Sequence, residues 1–464
     1  MVADRSAWVR EIEQVILAEL SRWGVPGASV GIHFQGVDDL AAFGLANVET
    51  RHPVGPDTLF QIGSISKIFT TTLVLTFVDE GRLDLDTPIV AYLDDFRLAD
   101  AAAARTITLR HLLTHTAGFD GVRLDDHGQG DDALARAVAG FAELPQLFPP
   151  GECWSYCNGG FDLLGRIVER VEARPIEEVM RERVIERLGL ERTTYFAHEA
   201  IRHSVAVGHL QDDQGRLEVA RPWHVPRRSH PSAGVITTAA EMLRFLRCHL
   251  DDGEYAGRRL LSSDLTRAMR ARQLVVRPGR WQGLGWALLE SGGAEIVSHI
   301  GITLGFAARV VMVPVSRFAM VVLTNGDRGD AAMDAIVEAA LSRFVGIETK
   351  HPVVIPASSQ SLSPLSGRYR LATEEFRVYV AGDRLQAEQV SIDPLTGAET
   401  VAEAFDLAAV EDGRFLAIGG VFDRCFAEFL GDGQGHVRFM RIFDLVAPRI
   451  GAMTEDSQSA GTRR

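Results

Sequence analysis

The stretch Phe60-Gln61-Ile62-Gly63-Ser64-Ile65-Ser66-Lys67-Ile68-Phe69-Thr70 constrains this chain more than any other. A glycine gives way there to an apolar run, in which Ile65, Ile68, Phe69, Leu73, Val74, Phe77 and Val78 recur at helical spacing. Gly81 ends the pattern, as glycine does just past a helix C-terminus. Ser64 is therefore expected at or beside the helix N-cap, with Lys67 one turn along on the same face. Two readings fit this placement. In one, the serine caps the helix and the lysine is solvated. In the other, free N–H groups of the first turn stabilise an anion forming on a carbonyl attacked by Ser64. Burial and the helix dipole then disfavour a charged Lys67, which can take the serine's proton. The pair alone does not choose between them.

The surrounding pattern supplies the frame. Trp8, Ile12, Ile16, Leu20 and Trp23 mark one face of an amphipathic helix closed by Gly24. Residues 28–34 and 40–43 read as strands joined in a hairpin at Gly36-Val37-Asp38-Asp39. From about 80 to 230 the pattern is helix and loop. A short helix over 108–115 leads into the turn Thr116-Ala117-Gly118, and the Gly- and Asp-rich residues 121–132 read as a surface loop. The turn Phe148-Pro149-Pro150-Gly151 precedes Tyr156-Cys157-Asn158-Gly159-Gly160 and a helix carrying Phe161, Leu164, Ile167, Val168 and Val171. Thr238-Ala239-Ala240-Glu241 has the form of a capping box. Residues 284–289, 307–313 and 318–325 read as strands, and 330–345 as a closing helix. Two early strands and three late ones, with helices at both ends, predict an α+β fold: one antiparallel sheet covered by helices, with a mostly helical insertion, over residues 1–350.

Beyond this the texture changes. Residues 351–363 read as a linker. Residues 364–450 hold short strands and turns such as Ala381-Gly382-Asp383 and Glu411-Asp412-Gly413, without a long helical pattern. They predict a small all-β barrel of the up-and-down, lipocalin-like kind. The polar tail, 451–464, is expected to be disordered. Two units also suit the length of 464 residues. A net charge of −14 argues against nucleic acid or an anionic membrane surface as partner. No apolar run approaches a membrane span, and the N-terminus lacks a signal peptide's apolar core, so a cytoplasmic location is expected. Cys153 and Cys157 stand four apart in a stretch read as extended, which separates their α-carbons by about 13 Å, beyond disulfide reach. With Cys248 and Cys425 they read as free thiols.

Three separated segments belong together: Ser64-Ile65-Ser66-Lys67, Tyr156-Cys157-Asn158, and His299-Ile300-Gly301-Ile302 between two late strands. With Pro56-Asp57-Thr58-Leu59-Phe60, His111-Leu112-Leu113-Thr114-His115-Thr116-Ala117-Gly118 and Pro231-Ser232-Ala233-Gly234-Val235, they give a chain that resembles the serine β-lactamase and penicillin-binding-protein superfamily over residues 10–345. The closest likeness is to the class C β-lactamase-related branch, which includes esterases and D-aminopeptidases. The resemblance implies an acyl-enzyme on Ser64, with Lys67 and Tyr156 sharing the base role. It implies Asn158 as a hydrogen-bond partner of Lys67 or substrate, and His299 and Gly301 as substrate-facing. The backbone N–H groups of Ser64 and Ile302 would form the oxyanion hole. A tyrosine of pKa about 10 needs a cationic neighbour to act as a phenolate near neutral pH, and Lys67 is the candidate. The resemblance implies no metal or organic cofactor.

Blander readings stand beside these. Tyr156 can be a buried aromatic and His299 a structural strand histidine. His111 and His115 have the i, i+4 spacing of a metal pair, but no acidic residue lies between them. Asp125, Asp126 and His127 read as a solvated loop. The third motif departs from the pattern that receives a substrate carboxylate: Ile300 has neither hydroxyl nor charge, and a histidine of pKa about 6.5 is mostly neutral at pH 7. A carboxylate left without its donor costs a few kcal/mol, about a hundredfold in binding. The expected substrate is therefore a small uncharged ester or amide. D-aminopeptidase or amidase action, weak β-lactamase activity and a catalytically silent scaffold remain as alternatives. The resemblance further implies that an added barrel can send a loop toward the site.

Overall fold

The computed structural model describes residues 8–121, 126–212, 214–349, 351–371, 373–392, 398–420, 422–432 and 434–453. Nine antiparallel strands make the central sheet. Three come early: β1 (Gly27–Phe34), β2 (Val37–Asn47) and β3 (His52–Pro53). Six come late: β4 (Leu274–Arg277), β5 (Arg280–Gln282), β6 (Ala287–Ser291), β7 (Ala294–Thr303), β8 (Phe306–Val313) and β9 (Phe318–Thr324). Their order is β4-β5-β6-β7-β8-β9-β1-β2-β3, so the two ends of the segment meet where β9 pairs with β1. The predicted class, an antiparallel sheet covered by helices, is the one observed.

Both faces of the sheet are buried, and β9 shows how. Phe318, Met320 and Val322 pack with Ile16 and Leu20 of α1 (Glu13–Trp23) and with Met333 and Ile336 of the closing helix, α6 (Gly329–Ala340). Ala319, Val321 and Leu323 point the other way, into a core shared with α2 (Ser66–Asp79) and α5 (Ala239–Leu250). The period-2 alternation of a strand thus feeds two cores. Gly24 ends α1 in the left-handed region, φ 66°, as the sequence predicts.

Helix α2 is the central element, and it is buried on every side over residues 66–77 rather than on one stripe. Its polar residues are accommodated by local bonds: Thr71, Thr72 and Thr76 donate to the carbonyls of Lys67, Ile68 and Leu73 at 2.8, 2.8 and 2.7 Å. Phe69 stacks on Phe245 of α5, centroids 3.9 Å apart. Phe69→Ala is expected to cost about 3–5 kcal/mol, read as a lower urea midpoint.

Three local expectations change. The first hairpin turns at Gln35 and Gly36, both at positive φ (50° and 80°), a two-residue turn that leaves Val37 and Asp38 extended in β2. The capping box at Thr238 is half formed: Thr238 accepts from the Glu241 amide, but the Glu241 carboxylate goes to Arg192 and Thr193. His299-Ile300-Gly301-Ile302 lies inside the ten-residue strand β7, not between strands. A histidine and a glycine interrupt its apolar pattern, and the glycine serves a close approach described below.

The barrel closes from eight antiparallel strands in chain order: β10 (Gly367–Arg370), β11 (Glu374–Ala381), β12 (Arg384–Ile392), β13 (Glu399–Ala409), β14 (Phe415–Ile418), β15 (Phe426–Gly431), β16 (Val437–Ile442) and β17 (Leu445–Gly451). Tyr369, Phe376, Val378, Leu385, Phe405 and Leu407 fill it. Part of the segment read as linker is ordered, as the short helix Ser359–Leu362 with Ser358 as its cap. Residues 454–464 of the tail and Asp125 lie outside the described residues, while Asp126 is exposed in a loop. Among the described residues no helix is long and apolar enough to cross a membrane, and all four cysteines are free.

Candidate active site

Ser64 sits in a single 3₁₀ turn, Gly63–Ile65, that runs directly into α2. Two glycines make this turn possible. A β-carbon on Gly63, itself at φ 49°, would lie 2.6 Å from the Ile302 nitrogen. One on Gly301 would lie 1.8 Å from the Ile62 carbonyl oxygen and 2.9 Å from the Ser64 nitrogen. Strand β7 therefore crosses against the Ser64 turn at backbone contact, bringing the Ser64 and Ile302 amides into one junction. Two such donors can hold a negatively charged oxygen. Gly301→Ala is expected to push this junction open and slow fluorophosphonate labelling of Ser64 about a hundredfold, measured as a second-order rate.

Lys67 is fully buried. Its ammonium donates to Ser64 Oγ at 3.1 Å and to the Ser232 carbonyl at 2.8 Å. The rings of Tyr156 and Phe161 face it, with centroids 4.8 and 5.5 Å away. Burial draws its pKa down from 10.5 to about 7, against an opposing pull from the Asp162 carboxylate. Near neutral pH this amine is thus shared between its two protonation states, and the neutral one can accept a proton from Ser64.

Tyr156 hydrogen-bonds with Ser64, but burial pushes its phenol well above the ordinary 10. A half-neutral Lys67 does not supply the fixed cation a phenolate needs, so the phenol stays protonated and can relay a proton only by exchanging one. Asn158 opens α4 (Asn158–Glu172) and is not among the hydrogen-bond partners of Lys67. His299 points inward from β7, 8% exposed, with Nδ1 donating to the Ile300 carbonyl at 2.7 Å. Burial first, then the Lys67 charge, lower its pKa to about 3, which keeps it neutral. Ile300 and Ile302, on the opposite side of the same strand, are 42% and 45% exposed.

The structure adds residues that the sequence analysis did not bring to the site. The helix that was expected to carry both His111 and His115, α3 (Leu109–Leu113), ends before the second of them. His111 turns back to cap that helix through Thr108. His115, at φ 57°, lays its ring 4.5 Å from that of Tyr156 and accepts the Cys157 amide at 3.1 Å. It braces the Tyr156 segment rather than pairing with His111. The second addition comes from the barrel. Phe443 and Asp444, both at positive φ, form the two-residue turn between β16 and β17. The Asp444 carbonyl accepts the Tyr156 amide at 2.9 Å, and its carboxylate takes Arg280 in a fork at 2.8 and 2.7 Å. Ser155 Oγ accepts the Val446 amide at 3.1 Å. No local signal in the sequence joins positions 156 and 444.

Comparison with known proteins gives a match to the family described as Beta-lactamase over residues 12–342. The chain is 36% identical over 355 residues to a penicillin-binding protein 4 of Amycolatopsis lactamdurans, covering 74% of this chain and 93% of that one. It is 33% identical over 196 residues to esterase EstB of Burkholderia gladioli, covering 38% and 48% respectively. Among solved structures, SurE superposes with a TM-score of 0.78 at 24% identity, over 96% of this chain and 99% of that one.

Proposed function

Because the chain belongs to the beta-lactamase family of serine hydrolases, we propose that it cleaves small uncharged esters or amides through an acyl-enzyme on Ser64, most directly as a carboxylesterase. The observation that carries this reading is the buried Lys67 ammonium nitrogen 3.1 Å from Ser64 Oγ. Neutral Lys67 takes the serine proton as the oxygen attacks the carbonyl, the developing oxyanion meets the Ser64 and Ile302 amides, and the proton passes on to the leaving group. Tyr156, bonded to Ser64, lies on that path. Water then repeats the sequence on the acyl-enzyme. A small-molecule substrate suits this site, and the barrel turn that accepts the Tyr156 amide adjoins it.

The third motif supports the preference for an uncharged group. His299 is neutral, Ile300 presents only methyl and methylene groups, and Arg280 is committed to Asp444. The test is a panel of short-chain p-nitrophenyl esters, D- and L-aminoacyl anilides and a chromogenic cephalosporin, run on wild type and Ile300→Thr. Wild type is expected to favour the neutral esters. Ile300→Thr is expected to raise kcat/KM for the carboxylate-bearing cephalosporin relative to them by about tenfold. Preference for the cephalosporin by wild type would overturn the substrate reading. The identity with a penicillin-binding protein favours β-lactam acylation as the second reading, and the same panel decides it.

A further inference from the structure

Beneath Lys67 lies a pair of charges that the proposed reaction does not use. Asp162, one turn into α4, is 0% exposed, and Arg228, in the 3₁₀ turn Arg227–Ser229, is 2% exposed. Arg228 Nη2 donates to Asp162 Oδ2 at 2.5 Å. The other carboxylate oxygen faces Ser232 Oγ at 3.4 Å. Ser232 is also the residue whose carbonyl takes the Lys67 ammonium at 2.8 Å. Burying an ion pair is usually no more stabilising than an apolar pair of the same shape, so its place one residue away from the base calls for a role.

The groups facing Lys67 narrow what that role can be. From the segment before α4 come the Tyr156 phenol and the Cys157 thiol, the thiol pushed up to about 12 by burial and hence uncharged at neutral pH. His115 comes from the turn after α3 and His299 from β7, both held neutral by burial. Asp444 and Arg280 lie beyond His299 and cancel each other in their fork. Burial raises the Asp162 carboxyl above its ordinary value, against the pull of Arg228, and it is the remaining acidic side chain that acts on Lys67 among the described residues.

We propose that the Asp162–Arg228 pair is a positioning element for Lys67. The carboxylate supplies the negative potential that lets a fully buried amine still hold a proton between steps. Arg228 tempers that potential, so that Lys67 is not captured as a permanent ammonium. Asp162 also anchors Ser232, whose carbonyl orients the amine toward Ser64. This inference rests on the reading of Ser64 and Lys67 as nucleophile and base.

The sign of each change follows from charge. Without the carboxylate the ammonium is less favoured, so Lys67 loses its proton at lower pH. Without the guanidinium the carboxylate acts at full strength, and Lys67 loses its proton at higher pH. The experiment is the second-order rate of fluorophosphonate labelling of Ser64 against pH, which needs no knowledge of the substrate. The wild-type rate is expected to rise through a midpoint near pH 7. In Asp162→Asn the midpoint should move down by about one pH unit, and in Arg228→Gln up by a similar amount. Midpoints unmoved, or moved in the same direction, would show that the pair is only structural and overturn the proposal. Should either single variant fail to fold, the neutral double variant Asp162→Asn/Arg228→Gln decides: a lowered midpoint supports the proposal and an unmoved one overturns it. Wild type that does not label at Ser64 refutes the underlying assignment of nucleophile and base instead.

Discussion

Ser64→Ala is expected to abolish fluorophosphonate labelling and to lower turnover of the best ester by about 10⁴-fold or more, with the fold intact. The magnitude follows from the site's design as a unit: without Ser64 Oγ there is no acyl-enzyme, and the oxyanion amides and Lys67 are left with only a slow attack by water to assist. The fold should not suffer, because Ser64 is half-buried in a turn whose shape rests on Gly63, Gly301 and the bond from Ser66 Oγ to the Gly63 carbonyl. Intact-protein mass spectrometry after labelling reads the first effect, and a thermal melt reads the second. Equal labelling of variant and wild type would refute Ser64 as nucleophile.

Lys67→Met is expected to give an equally inactive enzyme that is more stable than wild type. Unfolded, Lys67 has a pKa of 10.5, and in the fold about 7. Between those values the unfolded chain binds more protons, so stability attributable to this group falls as pH drops from 10.5 to 7, and below 7 the penalty is fully present. At neutral pH that penalty is on the order of 4 kcal/mol. Removing the ammonium also leaves the buried Ser232 carbonyl without its donor, which costs about 1–3 kcal/mol. The net is a gain of about 2 kcal/mol, seen as a higher melting temperature at pH 7 and a smaller gain as pH approaches 10. A variant less stable than wild type at pH 7 would show that Lys67 is not desolvated as described. The same amine sets the wild-type rate profile: below pH 7 activity should fall about tenfold per pH unit as Lys67 protonates.

Much of this arrangement could be read from the chain because it is local. The glycine before Ser64, the apolar spacing after it and the turn at Gly151 are short-range signals, and each element formed where expected. The departures come from interactions between distant segments. The sequence reading sets His299 to Ile302 between strands, yet Gly301 lies within β7 and is what lets that strand touch the Ser64 turn. His115 shares a spacing with His111 that a continuous helix would exploit, but the helix stops at Leu113 and its positive φ sends the ring to Tyr156. Asp162 follows four residues after Asn158 and reads as one polar position on an amphipathic helix. Only the packing of the Arg227–Ser229 turn against α4 turns it into a buried charge. The apolar spacing of α2 marks one stripe, but the insertion and α5 pack around the rest of the helix, so residues 66–77 are all buried.

The turn at Phe443 and Asp444 ties the order of the Tyr156 segment to an attachment outside the domain that holds Ser64. The Tyr156 amide has its hydrogen-bond acceptor on the barrel, so its protection from solvent exchange is set by how often that attachment opens, not by the stability of the core around α2. Each opening also releases Arg280 from its fork and unseats Val446 from Ser155. Substitutions in β16 or β17 that loosen this turn are therefore expected to speed exchange at the Tyr156 amide without touching a reacting atom.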